Sequence, residues 1–426
     1  MTDKRPLLRA IFDAAVGAAH PDKMLRRHLP PPPRGRVIVL AAGKGAAAMA
    51  AVAERYYIDE VGLSEAQIEG VATTRHGHRI PTRRVEVIEA GHPVPDEAGL
   101  KGAEKTLKLA ASAGVDDLVL ALISGGGSAN WIAPADGVTF AQKQQVNKSL
   151  LRSGAPISEI NTVRKHLSRI KGGRLARAAY PAQIVTLAVS DVPHDDPATI
   201  ASGPTVPDGT TLKEARDIFA KYKLTMDDEV RKALEDPRNE SVKPNDAAFA
   251  RARFEIIGRP RDSLDAAIRT TADAGYEVID LGADLEGEAR AVAAEHAKIT
   301  LNAKTHGKRV AIISGGELTV IVRGNGRGGP NQEYVLALTE LLADHKDIAV
   351  LAADTDGADG GAGSPEDPAG ALADEATFAK MRALKLDPKA YLDNNDATSF
   401  FEKTGDLLIT GPTLTNVNDI RVILVG

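Results

Sequence analysis

The sequence predicts an α/β protein of two three-layer α/β/α domains, each a mainly parallel or mixed sheet covered by helices. Three observations carry this. At 426 residues the chain is too long for one ordinary core. Short runs rich in Val, Ile and Leu alternate with helical patterns along it. Most of these runs end in Gly, Ser or Asp, residues suited to the turn from strand into helix.

Residues 5–28 read as a helix and residues 30–33, all proline, as a stiff connector. Strands are expected at 36–43, 69–74, 85–91, 117–126 and 184–191, with helical stretches between most of them. Such alternation builds a sheet buried on both faces. Residues 205–250 are helical, polar and broken by proline, which places a domain junction near 240. The domains are therefore 1–240, with the N-terminal helix in the first, and 241–426. A second set of strands is expected at 252–258, 276–282, 309–324, 347–354, 406–411 and 421–426. In each half a strand runs into Ser-Gly-Gly, at Ser124 and Ser314, and a later one into Asp, at Asp191 and Asp354. Two lobes facing a cleft would follow, although the match is too short to make a repeat.

Composition narrows the function. A formal net charge of −5 argues against a general nucleic-acid binder or an anionic-membrane binder. Aromatics are only 4%, which weakens any base-stacking surface. Cysteine is absent, which removes thiolate nucleophiles and Cys-ligated metals and fits a reducing compartment. No apolar run approaches the ~18 residues of a membrane span, and the N-terminus lacks the unbroken apolar core of a signal peptide. A cytoplasmic location is expected.

In an open parallel sheet, ligands bind beyond the C-terminal strand ends. Ser124-Gly125-Gly126-Gly127-Ser128 directly follows an apolar strand. Its glycines let backbone N–H groups converge on an anion, and a following helix N-terminus adds positive potential. A plain turn would need only one or two glycines. Lys44, between Gly43 and Gly45, opens an Ala-rich helix. A lysine there is electrostatically unfavourable unless an anion lies nearby. No GxxxxGK[ST] occurs. A third loop, Gly324 to Gly329, satisfies GxGxxG before a helix that begins at Pro330, so a dinucleotide fold is not dismissed on pattern. Arg327 inside that loop suits phosphoryl transfer better, because the moving group needs fixed positive charge.

Asp191 and Asp354 end their strands at the sheet edge, followed by His194, Asp195 and Asp196 in one case and Asp356 and Asp359 in the other. Carboxylates there can hold a metal or accept a hydroxyl proton, or merely cap helices and form turns. The Asp-rich second cluster lacks the rest of an EF-hand loop. Residues 160–173 read as a basic helix with Ile160, Val163, Leu167 and Ile170 buried, ending where Lys171 or Arg164 could lean over a cleft. His92 follows another strand without metal-ligand spacing.

Taken together, AAGKGAAAMA, AGHPVPDE, LISGGGSA, NTVRKHLSRIKGGRLA, SDVPHDDPATIASGPT, ISGGELTV, GNGRGGPNQE, AADTDGADG and GDLLITGPTLTNVND resemble the class II glycerate kinases, the MOFRL-type family whose members also carry hydroxypyruvate reductase names. The segments span nearly the whole chain in family order and are specific as a set. The resemblance implies a Rossmann-like two-domain enzyme with its site in the interdomain cleft, a MOFRL-type segment at about 308–426, and phosphorylation of D-glycerate at the 2-hydroxyl by ATP with Mg²⁺ or another divalent metal. Lys44 and Arg327 match the family's proposed catalytic basic residues, and Asp191 is assigned as base or metal-linked carboxylate. Ser124, Gly125, Gly126, Gly127, Ser128, Lys171, Glu317, Gly326, Gly328 and Asn331 would bind substrate or nucleotide. Asp354 and Asp356 would hold the metal. The partners expected are D-glycerate and ATP, with no nucleic acid or membrane; a homodimer is an allowed assembly. The alternatives are an NAD(P)H-dependent hydroxypyruvate reductase and a non-catalytic sensor of phosphorylated metabolites.

Overall fold

The computed structural model describes residues 3–305, 307, 309–361, 364 and 366–426. The chain divides into two compact units, one of residues 24–257 and one of residues 1–23 with 258–426.

The first unit is built on β1 (Val37–Ala42), β2 (Ile68–Arg75), β3 (Val85–Ala90), β4 (Leu118–Ile123), β5 (Gln183–Val189) and β6 (Ala252–Gly258). They lie in the order β3-β2-β1-β4-β5-β6, and the pairs among β1 to β5 are parallel. Every residue of β1 and β4 is buried, as their unbroken apolar sequences demand of strands covered on both faces. The β1–β4 register aligns Ala42 with Ile123, so the loops beginning at Gly43 and Ser124 leave the sheet side by side. Helix Glu97–Ala111 starts where Asp96 accepts the Gly99 N–H at 3.0 Å. Helices Phe140–Arg152, Ile157–His166, Leu212–Lys221 and Asp228–Glu235 form a separate apolar cluster around Val146, Leu150, Val163 and Phe219.

The strand at 252–258 was expected in the second sheet but completes the first, at its edge beside β5. The division thus falls after 257 rather than near 240.

The second unit carries β7 (Glu277–Asp280), β8 (Gly287–Glu288), β9 (Val310–Ser314), β10 (Leu318–Thr319), β11 (Ile348–Asp354), β12 (Gly370–Ala373), β13 (Leu407–Leu408) and β14 (Asp419–Val425). Its main sheet runs β13-β12-β11-β14-β9-β7. Only β7–β9 is parallel there; the other pairs are antiparallel, so the two sheets do not share a topology. β8 and β10 form a separate two-stranded ribbon. The single strand expected at 309–324 is broken after Ser314. Gly316 turns the chain at φ +89°, where a Cβ would meet the Leu285 backbone at 2.2 Å.

Helix Arg5–Ala18 belongs to this unit, not to the first. Leu8, Ile11, Phe12 and Ala15 share one core with Leu264 and Ala267 of helix Pro260–Asp273. Ser263 donates to the Ala15 carbonyl at 2.7 Å, and Arg5 pairs with Asp374 at 2.6 Å and Asp406 at 2.7 Å. Among the described residues no helix is long and apolar enough to cross a membrane.

Candidate active site

The order of the first sheet reverses between β1 and β4, and such a switch point is where open α/β sheets take ligands. Lys44 and the loop 124–128 sit at its two sides. They are tied together: Lys44 N–H donates to the Gly125 carbonyl and Gly45 N–H to Ser124 Oγ, both at 2.8 Å. The Lys44 carbonyl accepts from Thr74 Oγ1 at 3.2 Å and meets His78 Nδ1 at 3.1 Å. Lys44 is buried, directly before helix Ala46–Arg55. Gly43–Ala48 also fits G-x-G-x-x-A, the alternative ending of the dinucleotide fingerprint. Both Gly43–Ala48 and Gly324–Gly329 thus carry the glycine spacing, and only the former lies at a strand-to-helix turn of the first sheet.

Gly43 has φ +116°, and a Cβ there would lie 2.3 Å from the Ser124 carbonyl oxygen. Gly43→Ala is therefore expected to cost at least about 3 kcal/mol, from strain and backbone collision together. Chemical denaturation would check it.

Gly126, with φ +85°, leads into the short helix Gly127–Asn130. A Cβ at Gly126 would press on the His92 ring at 2.8 Å and approach Lys44 Cγ at 3.5 Å. Ser128 Oγ lies 2.8 Å from Ser202 Oγ. Lys171 Nζ donates to the Ser128 carbonyl at 2.9 Å. The helix expected over 160–173 ends at His166, and the chain turns through left-handed Gly172 and Gly173 into helix Arg174–Ala179. That turn brings Lys171 under the glycine loop. A pocket of about 860 Å³ opens here, with His92, Gly126, Ser128, Lys143, Arg164 and Lys171 in its wall.

Burial and, secondarily, Arg164 depress the Lys171 ammonium to about 7. Lys143 is driven well below the usual lysine range by burial and then by Lys171 and Arg164. Lys143 was not singled out in the sequence. It shares the apolar helix face of Val146 and Leu150, three and seven residues on, and a lysine on a buried face is the signal that would have found it.

Asp191 lies two residues beyond β5 and is half-buried. The segment after it holds His194, Asp195, Ala201 and Ser202 at positive φ. Four non-glycine residues in that region make a strained stretch of the kind found at functional sites.

In the second unit Glu317 sits on an exposed turn. The amides of the loop at 323–327 are engaged by the chain itself. Arg323 and Gly324 donate to Asn395 Oδ1 at 2.7 and 3.0 Å, and Asn325 to Asn394 Oδ1 at 3.3 Å. Gly326 donates to the Asn394 carbonyl at 2.9 Å and Arg327 to Asp396 Oδ1 at 3.0 Å. Gly324 and Gly326 are needed for this closeness, since a Cβ on either would collide with Asn394 or Asp396. A dinucleotide loop offers its amides to pyrophosphate; these are spent on residues 394–396, and the loop follows the ribbon strand β10 rather than a strand of the main sheet. Gly328, at φ +151°, lies against Ala397. The Arg327 guanidinium is 62% exposed and pairs with Glu402 at 2.6 Å.

Asn331 is fully buried, donating to Asp359 at 3.2 Å and Asp419 at 2.7 Å. Asp359 accepts the first amides of helix Pro330–Leu342, from Asn331 at 3.0 Å and Gln332 at 2.8 Å. Burial raises its carboxyl to about 7 against the pull of those amides. Asp354 Oδ1 accepts Asp356 N–H, and Asp356 Oδ1 accepts Ala358 N–H, both at 2.8 Å. Both aspartates thus shape one turn at the end of β11. Among the described residues no cluster of three or more His, Cys, Asp or Glu is arranged to hold a metal. Mg²⁺ carried on phosphates takes only one or two carboxylates from a protein, a smaller set than such a cluster.

The chain matches two family models, a domain of unknown function (DUF4147) over residues 7–235 and the MOFRL family over residues 310–419. It is 47% identical over 428 residues to an Agrobacterium vitis protein with a provisional hydroxypyruvate reductase name, covering 99% of this chain and 94% of that one. It is 38% identical over 422 residues to a Thermotoga maritima D-glycerate 2-kinase, covering 97% of each chain. A crystal structure of glycerate kinase from Thermotoga maritima superimposes with a TM-score of 0.85 at 37% identity, covering 99% of both chains.

Proposed function

The chain belongs to the class II, MOFRL-type glycerate kinase family, and we propose that it transfers the γ-phosphoryl group of ATP to the 2-hydroxyl of D-glycerate, giving 2-phosphoglycerate and ADP. The observation that carries this at the site is the buried Lys44 and Lys171 with the glycine loop 124–128 at the sheet's switch point. Phosphoryl transfer is catalysed mainly by positioning and fixed positive charge, and these groups supply both.

Lys44 and Arg327 neutralise charge developing on the transferred group. Asp191 accepts the proton from the substrate hydroxyl. Loop 124–128 and Lys171 bind the anionic ligands, and Glu317, Gly326, Gly328 and Asn331 complete the second unit's binding set, Asn331 by anchoring its helix on Asp359. Asp354 and Asp356 would hold Mg²⁺, which supplies charge neutralisation on the phosphates. The cysteine-free composition supports a reducing, cytoplasmic compartment. D-Glycerate-dependent release of ADP from ATP tests the activity; ADP release equal with and without glycerate would count against it.

Lys171 sets a pH dependence. An ammonium near 7 is cationic below that pH and neutral above it. Lys143, also depressed, acts in the same direction. Both attract an anion only when protonated, so kcat/KM, which reports the free enzyme, is expected to fall as pH rises through about 7. Lys171→Arg should weaken that alkaline limb, because guanidinium stays charged. A pH profile of kcat/KM that is flat from 6 to 9 in the wild type, roughly one unit below to two above the Lys171 value, would remove Lys171 from this role.

A further inference from the structure

The pocket of about 860 Å³ in the first unit is far roomier than a three-carbon acid requires, and of the size that holds drug-sized ligands. Its wall holds three cations of low exposure. Lys143 is 1% and Lys171 3% exposed, and Arg164 is half-buried. Their nitrogens meet the chain's own carbonyls where they meet anything: Lys143 Nζ donates to the Arg164 carbonyl at 3.0 Å and Lys171 Nζ to Ser128 at 2.9 Å. Among the described residues no carboxylate pairs with any of the three, whereas the neighbouring Lys165 pairs with Asp208 at 3.1 Å. Buried charge without a counter-ion is costly and persists where a ligand supplies the opposite charge. One carboxylate of glycerate would leave most of this charge uncompensated; a nucleoside triphosphate would match it. Two exposed apolar side chains, Val94 at 71% and Leu151 at 61%, stand in the same wall. They give a flat base an apolar surface that glycerate has no use for.

We propose that this pocket is the nucleotide subsite, with Lys143, Arg164 and Lys171 on the triphosphate and Val94 and Leu151 against the base. The assignment rests on the kinase reading and adds which ligand the first unit takes. Gly126 and Ser128 in the same wall, and Lys44 beside Gly126, place the terminal phosphate end toward the glycine loop. The depressed lysine ammoniums fit a site that becomes fully charged when the anion arrives.

The test compares ligands on the full chain by calorimetry, with ATP, inorganic triphosphate and D-glycerate as separate titrants. Lys143→Met should weaken ATP and triphosphate by about thirtyfold or more, as loss of a charged hydrogen bond does, and leave glycerate within about twofold. Its ligand-free Tm should not fall, because methionine fills the buried volume without a desolvated amine. Leu151→Ala, at an exposed position that does not threaten folding, should weaken ATP by about threefold to fivefold and leave triphosphate unchanged. Loss of glycerate affinity with ATP retained overturns the assignment, as does unchanged ATP binding in Leu151→Ala together with unchanged binding in Lys143→Met. If Lys143→Met does not fold, unchanged ATP binding in Leu151→Ala alone overturns it. Failure of the kinase reading looks different: the wild type would then release no ADP in response to glycerate.

Discussion

Lys44→Met is expected to phosphorylate D-glycerate about a thousandfold more slowly than the wild type at saturating substrates, the scale lost when one electrostatic stabiliser of a transition state is removed. The backbone around Lys44 is held by Gly125, Thr74 and His78, so the ammonium is presented from a rigid turn. Methionine keeps most of the buried volume without the charge. The fold should survive, and the loss should appear in kcat. Lys44→Arg should not restore the rate, because a planar guanidinium does not fit where a compact ammonium is enclosed. Turnover within tenfold of wild type would take the catalytic role away from Lys44.

Arg327→Ala is expected to lower kcat by about two to three orders of magnitude while the KM for ATP stays within about threefold. The side chain is 62% exposed and its ion pair with Glu402 lies at the surface. Such a pair contributes little to stability, about 1 kcal/mol at most. Tm should therefore barely move, which separates a role in the reaction from a role in the fold. Glu402→Gln frees the guanidinium from its partner and should leave Tm equally unaffected. An ATP KM that rises steeply beside an unchanged kcat would make Arg327 a ground-state binder instead.

Much of the first unit was legible because β1 and β4 are buried at every position, and a continuous apolar run has one reading in a parallel sheet. Lys44 and Ser124–Ser128 were legible for the same reason, as they directly follow those strands. The second unit was harder. Glu317–Gly324 has the apolar alternation of a strand, yet Gly315 and Gly316 turn the chain and leave Ile321 and Val322 at 53% and 77% exposure. The partners of the glycine loop, Asn394 to Asp396, lie about seventy residues downstream, and no local pattern marks a side chain that accepts from so remote a backbone. The same holds for the N-terminal helix, which packs on residues 248 positions away. Boundaries set by such distant packing, the division after 257 among them, lie beyond what periodicity reveals.

The central claim is tested most directly by incubating the purified chain with D-glycerate, ATP and Mg²⁺ and identifying the product by phosphorus NMR, beside a parallel incubation with hydroxypyruvate and NADH. The account predicts 2-phosphoglycerate in the first and no NADH oxidation in the second. NADH oxidation without any phosphoglycerate would contradict it and assign the switch-point loop, Gly43–Ala48, to a dinucleotide.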